Sequence, residues 1–371
     1  MDFLFGNLIE HTTWQMVVMW VIGAALIYLA IKKNMEPTLL LPIGFGAILV
    51  NLPLSGALTQ GEMEGVIDIL FDAGIANELF PLLLFIGIGA MIDFGPLLTN
   101  PKMLLFGAAA QFGIFFTLGM ALLLGFELKD AASIAIIGAA DGPTSIFVAN
   151  YFQSNYIGAI VVAAYSYMAL VPIVQPPIIR LLTTKKERRI KMPYNQKEVK
   201  KSTRILFPII VTFVAGIVAP QSVALIGFLM FGNLIRECGV LNSLSETAQH
   251  VLANLITLVL GITIAARMRA VDFITPETLM ILALGLVAFI FDTAGGVLFA
   301  KLLNVFSKNK VNPMVGAAGI SAFPMSSRVV HKMGLEEDPY NFLLMHAAGA
   351  NVAGQIASVI AGGLIIKLIA G

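Results

Sequence analysis

Residues 138–147 read GAADGPTSIF, an acidic side chain followed at once by glycine and proline inside an otherwise apolar stretch. Ionising Asp141 away from water is costly, and Gly142–Pro143 breaks a helix at the same place. Composition decides the solvent around this decapeptide. Of 371 residues, 58% are hydrophobic and 12% are charged, more apolar mass than a soluble core of this size hides. Apolar stretches at 14–32, 36–52, 79–92, 103–125, 157–182, 205–218, 220–235, 248–266, 278–303 and 340–370 are continuous, and most approach the length of a membrane-crossing helix. Strands of a membrane barrel would alternate instead. The expected fold is therefore an all-α polytopic membrane protein.

Asp2 and Glu10 in the first ten residues argue against the basic start of a cleavable signal peptide. The single Cys238 excludes an internal disulfide and an all-cysteine metal site, and reads as a buried apolar filler. A net charge of +1, without basic residues interleaved with aromatics, gives no sign of nucleic-acid binding.

Charge position carries more than charge total. Residues 185–204, KKERRIKMPYNQKEVKKSTR, hold nine of the 23 basic residues against two acids and are expected in the cytoplasm, with Lys32 and Lys33 on the same side. This basic loop is either a topology signal alone or a docking surface for an acidic partner or anionic lipid. The acidic stretch 61–78 falls outside, and so do Arg267 and Arg269, against the rule.

The chain also pairs with itself. Pro37 with IGF six residues on recurs at Pro220 (37 to 220, offset 183), DFGP at Asp93 recurs as DFIT at Asp272 (93 to 272, offset 179), and GAA at Gly138 recurs at Gly316 (138 to 316, offset 178). Collinearity makes these short matches persuasive and predicts two inverted repeats. The first spans 1–183 and contains a re-entrant segment at 131–150; a basic cytoplasmic loop covers 184–204; the second spans 205–371 with a re-entrant segment at 312–330. Gly142–Pro143 in one segment and Gly319 to Pro324 in the other interrupt the backbone ladder, tolerable at membrane depth only where protein or a wet cavity surrounds it. The two discontinuous helices are expected to meet at mid-membrane, where free carbonyls and half-helix ends suit a sodium ion. Asp141 would supply the charge, with Thr144, Ser145 and Asn150 close by, unless it is an interfacial helix cap. Asn312, Ser321, Ser326 and Ser327 are oxygen donors or routine small polar packing. Arg328 is a face anchor or a carboxylate clamp. Tyr167 is an interfacial anchor or a proton donor, and Asp292 is a proton site or the partner of a neighbouring helix. His331 and His346 read as structural.

Three strings, GAADGPTSIF (138–147), NPMVGAAGISAFPMSSRVVHKMG (312–334) and EEDPYNFLLMHAAGANVAGQIASVIAGG (336–363), closely resemble the membrane β-subunit of the biotin-dependent, sodium-translocating decarboxylases of oxaloacetate, methylmalonyl-CoA, glutaconyl-CoA and malonate. The resemblance runs from about residue 30 to the C-terminus, behind an N-terminal region shorter than in the longer members. It implies a chain that decarboxylates carboxybiotin held on a partner biotin carrier, consumes a proton and drives sodium outward across the inner membrane. It further implies a carboxyltransferase α-subunit, a small membrane anchoring subunit and a homo-oligomer, here expected to be a trimer. By the same resemblance Asp141 binds sodium and Tyr167 takes part in proton delivery. Asn312 and Ser321 help form the ion path, Gly316 allows close backbone approach, and Arg328, with Asn312, meets carboxybiotin. Thr144 and Asn351 are further ligand candidates. The compact length leans toward the CoA-thioester members. The competing class is a stand-alone sodium-coupled symporter of an organic anion, which fold logic alone does not exclude; a scaffold would have no use for Asp141 beside a broken helix.

Overall fold

Helices carry the architecture: among the described residues, 11–33, 37–193 and 198–370 of this computed structural model, the only β pairing is one isolated bridge, Gln60 with Met63. In chain order the main helices begin with α1 (Trp14–Lys33), α2 (Pro37–Val50) and α3 (Leu79–Met91), the last joined at a 61° bend to a preceding limb, Val66–Ala76. α4 (Met103–Leu123), α5 (Leu128–Ala135), α6 (Gly142–Tyr151) and α7 (Ile157–Leu182) complete the first half. The second half holds α8 (Lys201–Val218), α9 (Val223–Cys238), α10 (Asn242–Arg267), α11 (Pro276–Phe306), α12 (Met325–Glu337) and α13 (Leu344–Ala370). Seven of these are long and apolar enough to cross a membrane: α1, α4, α7, α8, α10, α11 and α13. The chain is an all-helical, multi-pass membrane protein.

Three of the ten apolar stretches form something shorter than a simple span. Residues 36–52 give the 14-residue α2, which stops ahead of Pro53, and 79–92 is one limb of the bent pair. In 220–235, Pro220 opens a 3₁₀ turn, Pro220–Ser222, before the 16-residue α9. The longest helix, α11, is well started: the Thr275 side chain accepts from Thr278 N, and Pro276 occupies the first helical position. α7 keeps its helix through Pro172, Pro176 and Pro177, as membrane helices do when neighbours satisfy the freed carbonyls.

Burial separates lipid-facing helices from the centre. α8 leaves Leu206, Ile209, Ile210, Phe213, Val214 and Ile217 exposed, whereas α13 buries His346, Asn351, Gln355 and Ser358 along with its small residues. α13 is thus the internal column on which both broken segments rest.

Lys301 Nζ of α11 donates to Leu182 O at the end of α7 at 3.0 Å, so these two helices finish on one face, where residues 183–193 run; their first residues lie on the opposite face. Asp93 sits on this linker face, 3.4 Å from Arg204, and Asp272 lies on the opposite one beside Asn155 and Tyr156. Asn51 stitches the two halves together: its amide donates to Ala47 O and Met268 O, both at 2.8 Å, and its Oδ1 accepts from Ala270 N at 2.7 Å. Cys238 is half-buried rather than buried, its thiol toward Ile235 O.

Candidate functional site

The first discontinuity lies between Ile136 and Pro143. A 3₁₀ turn, Ile136–Ala139, ends α5; Ala140 then takes φ 51°, a left-handed conformation that a residue with a Cβ seldom adopts. Asp141 is extended and caps α6, with Pro143 in the first turn where its missing N–H is not needed. Its Oδ1 accepts from Thr144 N at 3.3 Å, while Oδ2 accepts from the hydroxyls of Thr144 at 2.7 Å and Ser358 at 2.9 Å. Asp141 is therefore a helix cap, but a buried one, only 3% exposed. Ser145 Oγ donates to Asp141 O at 2.9 Å, which places hydroxyls on both ends of the residue. Hydrogen bonds to a charged carboxylate are worth about 1.5–3 kcal/mol each, the same order as the few kcal/mol that an intramembrane acid costs on insertion scales.

The second discontinuity is longer. After the single turn Met314–Ala317, no helix forms until α12 at Met325. Gly316 lies flat on Gly296 of α11: a Cβ on either would stand 2.0–2.1 Å from the other's carbonyl oxygen, so only glycine lets this turn reach the helix. Beyond it, Ser321 donates from Oγ (2.6 Å) and from N (3.2 Å) to Ala139 O of the first segment. The two broken segments thus touch through a carbonyl two residues before Asp141.

α13 closes the junction from one side with residues at i, i+4 and i+7. Asn351 Nδ2 donates to Ile320 O at 2.7 Å and leaves its Oδ1 buried without a partner. Gln355 Nε2 donates to Ser321 O, and Ser358 reaches Asp141. From the other side Gln175 of α7 donates to Ala317 O at 2.8 Å and meets the Ser326 hydroxyl. Tyr165 lies against Gly142, where a Cβ would stand 2.2 Å from the ring, and its buried hydroxyl has no hydrogen-bond partner.

Asp141, Thr144, Ser321 and Asn351 are brought together, and Gly316 seats the second segment. Other candidates lie elsewhere. Asn312 gives its amide to Arg188 O (2.8 Å) and Ile190 O (2.9 Å) of the linker, while Met314 N donates to its Oδ1, so none of its hydrogen bonds reaches Asp141. Asn150 donates to Ile75 O at 2.8 Å, and Ser327 to Pro324 O. Tyr167 turns away from Asp141 toward α11, its hydroxyl on Leu282 O and its ring on Gly285. Arg328 is exposed in the first turn of α12, with no carboxylate in ion-pair range among the described residues. It lies nine residues before Glu337, roughly 13 Å along the helix from the linker face. His346 contacts Met192 O, and His331 packs on Phe342. Ser358, Gln355, Gln175 and Tyr165 were not anticipated; the i, i+4, i+7 spacing of Asn351, Gln355 and Ser358 is the signal that marks α13's polar face.

Broken helices converging on a buried carboxylate inside a multi-pass helical protein place the chain in the class of membrane proteins organised like ion-coupled transporters. The comparison with known sequences narrows the class. The family described as the Na⁺-transporting oxaloacetate decarboxylase beta subunit matches residues 15–369, and the chain belongs to this family. It is 49% identical to the glutaconyl-CoA decarboxylase subunit beta of Acidaminococcus fermentans over 359 residues, 97% of this chain and 94% of that one. It is also 49% identical to the methylmalonyl-CoA decarboxylase subunit beta of Veillonella parvula, covering 95% and 92% of the two chains. Identity to the oxaloacetate decarboxylase beta chain of Klebsiella pneumoniae is 45%, covering 95% and 94%.

Proposed function

We propose that this chain decarboxylates carboxybiotin delivered by a partner biotin carrier, and couples that step to outward sodium transport with consumption of a proton. The observation that carries the reading is the contact of Ser321 with Ala139 O, which sets a polar, oxygen-rich junction beside the Asp141 carboxylate. Sodium is the cargo: the Asp141 carboxylate, the hydroxyls of Thr144 and Ser321, the free Oδ1 of Asn351 and the carbonyls of the broken segments, with Gly316 seating the second, are oxygen donors suited to a hard cation. Arg328, an exposed guanidinium on the leg of the second segment that returns to the linker face, receives the carboxylate of carboxybiotin. Moved on from there toward the buried junction, the group meets a drier setting in which the N–CO₂⁻ bond breaks, carbon dioxide leaves, and a proton takes its place on the biotin nitrogen. Tyr165, against Gly142, and Tyr167, against α11, are phenols of α7 close to this junction, and Tyr167 serves proton delivery. Asn312 ties the entry of the second segment to the linker and holds its mouth in shape for the carrier.

The recurrence of element order, with π-helical turns at Asp72–Ala76 and Thr247–Leu252 and the two DF turns on opposite faces, supports two inverted repeats divided by the linker. A carboxyltransferase α-subunit, a biotin carrier and a small anchoring subunit complete the complex at the cytoplasmic membrane, with this chain as a trimer. The length shared with the glutaconyl-CoA and methylmalonyl-CoA relatives favours an acyl-CoA as the acid handled by the partner.

The test is reconstitution in vesicles with the partner subunits. Carbon dioxide release that rises with sodium, accompanied by sodium movement away from the carrier side, is expected. Sodium movement with an organic anion and no carbon dioxide would instead make the chain a symporter.

A further inference from the structure

A second carboxyl lies at membrane depth, outside the Asp141 junction. Asp292 is midway along α11 and wholly buried. Its Oδ1 accepts from the backbone N–H of Gly113, where α4 restarts after a break at Ala110–Gln111. This contact is a cap supplied from another helix: the carboxyl satisfies a donor that the interruption leaves free. The second oxygen, Oδ2, has no hydrogen-bond partner among the described residues and faces Gly138, where a Cβ would stand 2.7 Å from it.

Among the described residues no cation pairs with this carboxyl. α4, the turn Ile136–Ala139 and the turn Met314–Ala317 contain no charged or titratable residue. α7 contributes Tyr165 and Tyr167, with Arg180 in its last turn on the linker face; α5, also packed on α11, carries Lys129 and Asp130 in its first turn, Asp130 accepting from Ser154; on α11 itself Glu277 and Lys301 lie at the two ends. An ionised, uncompensated carboxylate here carries a desolvation penalty of several kcal/mol, so the group must hold a cation.

The surroundings choose which cation. Sodium requires several oxygen ligands. Asp141 has hydroxyls from Thr144 and Ser358 on its carboxylate. Asp292 has one uncommitted oxygen, one N–H donor on the other, and Gly113, Gly138 and Ala288 as packing neighbours; among the described residues no side-chain hydroxyl or amide bonds to it, and the buried oxygens of Gln111, Thr117 and Thr293 on the same two helices are not joined to it. We propose that Asp292 is a second intramembrane carboxyl site, which holds a proton and not sodium. Because Oδ2 lies against Gly138, three residues before Asp141, gain or loss of that proton changes the charge beside the segment that carries Asp141.

The test is infrared difference spectroscopy on the purified full chain in lipid nanodiscs at neutral pH, with ¹³C-labelled aspartate to mark aspartic acid carbonyls. A protonated-carboxyl band is expected in the wild type and in Asp141→Asn, unmoved by sodium, and absent from Asp292→Asn. Asp292→Asn should change the sodium concentration for half-maximal heat protection by less than about twofold. No such band in Asp141→Asn overturns the proposal, even if Asp292→Asn fails to fold. A band that vanishes on adding sodium, or a shift above about tenfold in the protection midpoint of a folded Asp292→Asn protein, overturns it in favour of a sodium ligand. Either failure leaves the reading of Asp141 intact, because that reading is tested by Asp141→Asn alone.

Discussion

In the first broken segment a single residue, Ala140, absorbs the change of direction, and Asp141 at once caps the helix that follows. In the second, the residues from Ala318 to Pro324 lie between helices, and the next charged group, Arg328, is exposed. The first segment is buried from Asp130 through Ala149; the second is buried up to Ala322 and opens at Phe323. A short break fixes a charge in one place. A long break offers several carbonyls and leaves one side accessible, and α13 laces the two together through Asn351, Gln355 and Ser358. The difference supports the proposed division of labour, with the ion's charge on one segment and the anionic substrate's contact on the other.

Removing the charge tests the first half of this division and should have the largest effect. Asp141→Asn keeps the shape and can still accept from Thr144 and Ser358, so the fold should assemble. Sodium-dependent protection against heat or proteolysis should disappear, together with sodium-dependent carbon dioxide release. The empty protein should be no less stable, since a buried uncompensated charge is gone. Undiminished sodium protection in folded Asp141→Asn would sink the assignment.

Arg328→Lys tests the other half. An ammonium retains the charge and loses the planar two-point contact with a carboxylate. Carbon dioxide release should fall by roughly tenfold or more, as for loss of one charge-assisted contact of about 1.5–3 kcal/mol, while the sodium protection midpoint stays in place. Parallel loss of both would mean that the segments are not specialised.

A smaller effect is expected where α13 touches the first segment. Ser358→Ala deletes one hydroxyl from Asp141 Oδ2. A hydrogen bond of about 1 kcal/mol corresponds to a roughly fivefold weaker sodium midpoint. The control is Ser327→Ala, whose hydroxyl meets only Pro324 O; a change there as large as that in Ser358→Ala would remove Ser358 from the ion's surroundings.

Much of this was legible in the amino-acid order because glycine and proline in an apolar stretch have one reading at membrane depth, and because an acid there needs a reason. GAADGPTSIF therefore disclosed both the break and the charge. What remained hidden depends on packing. Tyr165 and Tyr167 are two residues apart on one helix and point to different neighbours; only the position of Gly142 singles out Tyr165 as the ring beside Asp141. Ser358 lies in a helix rich in glycine and alanine where small polar residues are common, so its type carries no signal without its spacing from Asn351 and Gln355. Asn312 stands in a motif whose resemblance implied the ion path, yet its amide is given to carbonyls of an irregular linker, and no periodicity foretells where such a chain lies.

That linker supports the smallest of the expected effects. Its basic residues read as a topology signal or a docking face, and several of them are turned inward onto the end of α12. Arg188 pairs with Glu337 at 2.6 Å, the two side chains 13% and 15% exposed, and Lys191 pairs with Asp338 at 2.9 Å. Lys185 and Lys186 remain exposed for a partner. The Lys191 hydrogen bond, with Tyr340 N and Arg189 adding to it, holds the Asp338 carboxyl below its usual range. Glu187 is also held low: desolvation pushes it up, but the Thr184 backbone and hydroxyl, and then Lys301, outweigh that. A carboxyl depressed in the folded state stabilises docking fully above its ordinary value, and that contribution is lost as pH falls through the lowered folded value. Docking of residues 183–193 should therefore be unchanged from neutral pH down to about pH 5 and loosen only below it. Hydrogen exchange of this segment, corrected for the intrinsic pH dependence, measures it. Arg188→Ala should raise exchange at neutral pH by about fivefold, the equivalent of about 1 kcal/mol for a largely shielded pair at the surface. Loosening that begins near neutral pH would point to His346, which contacts Met192 O, as the group that holds the linker in place of the carboxylates.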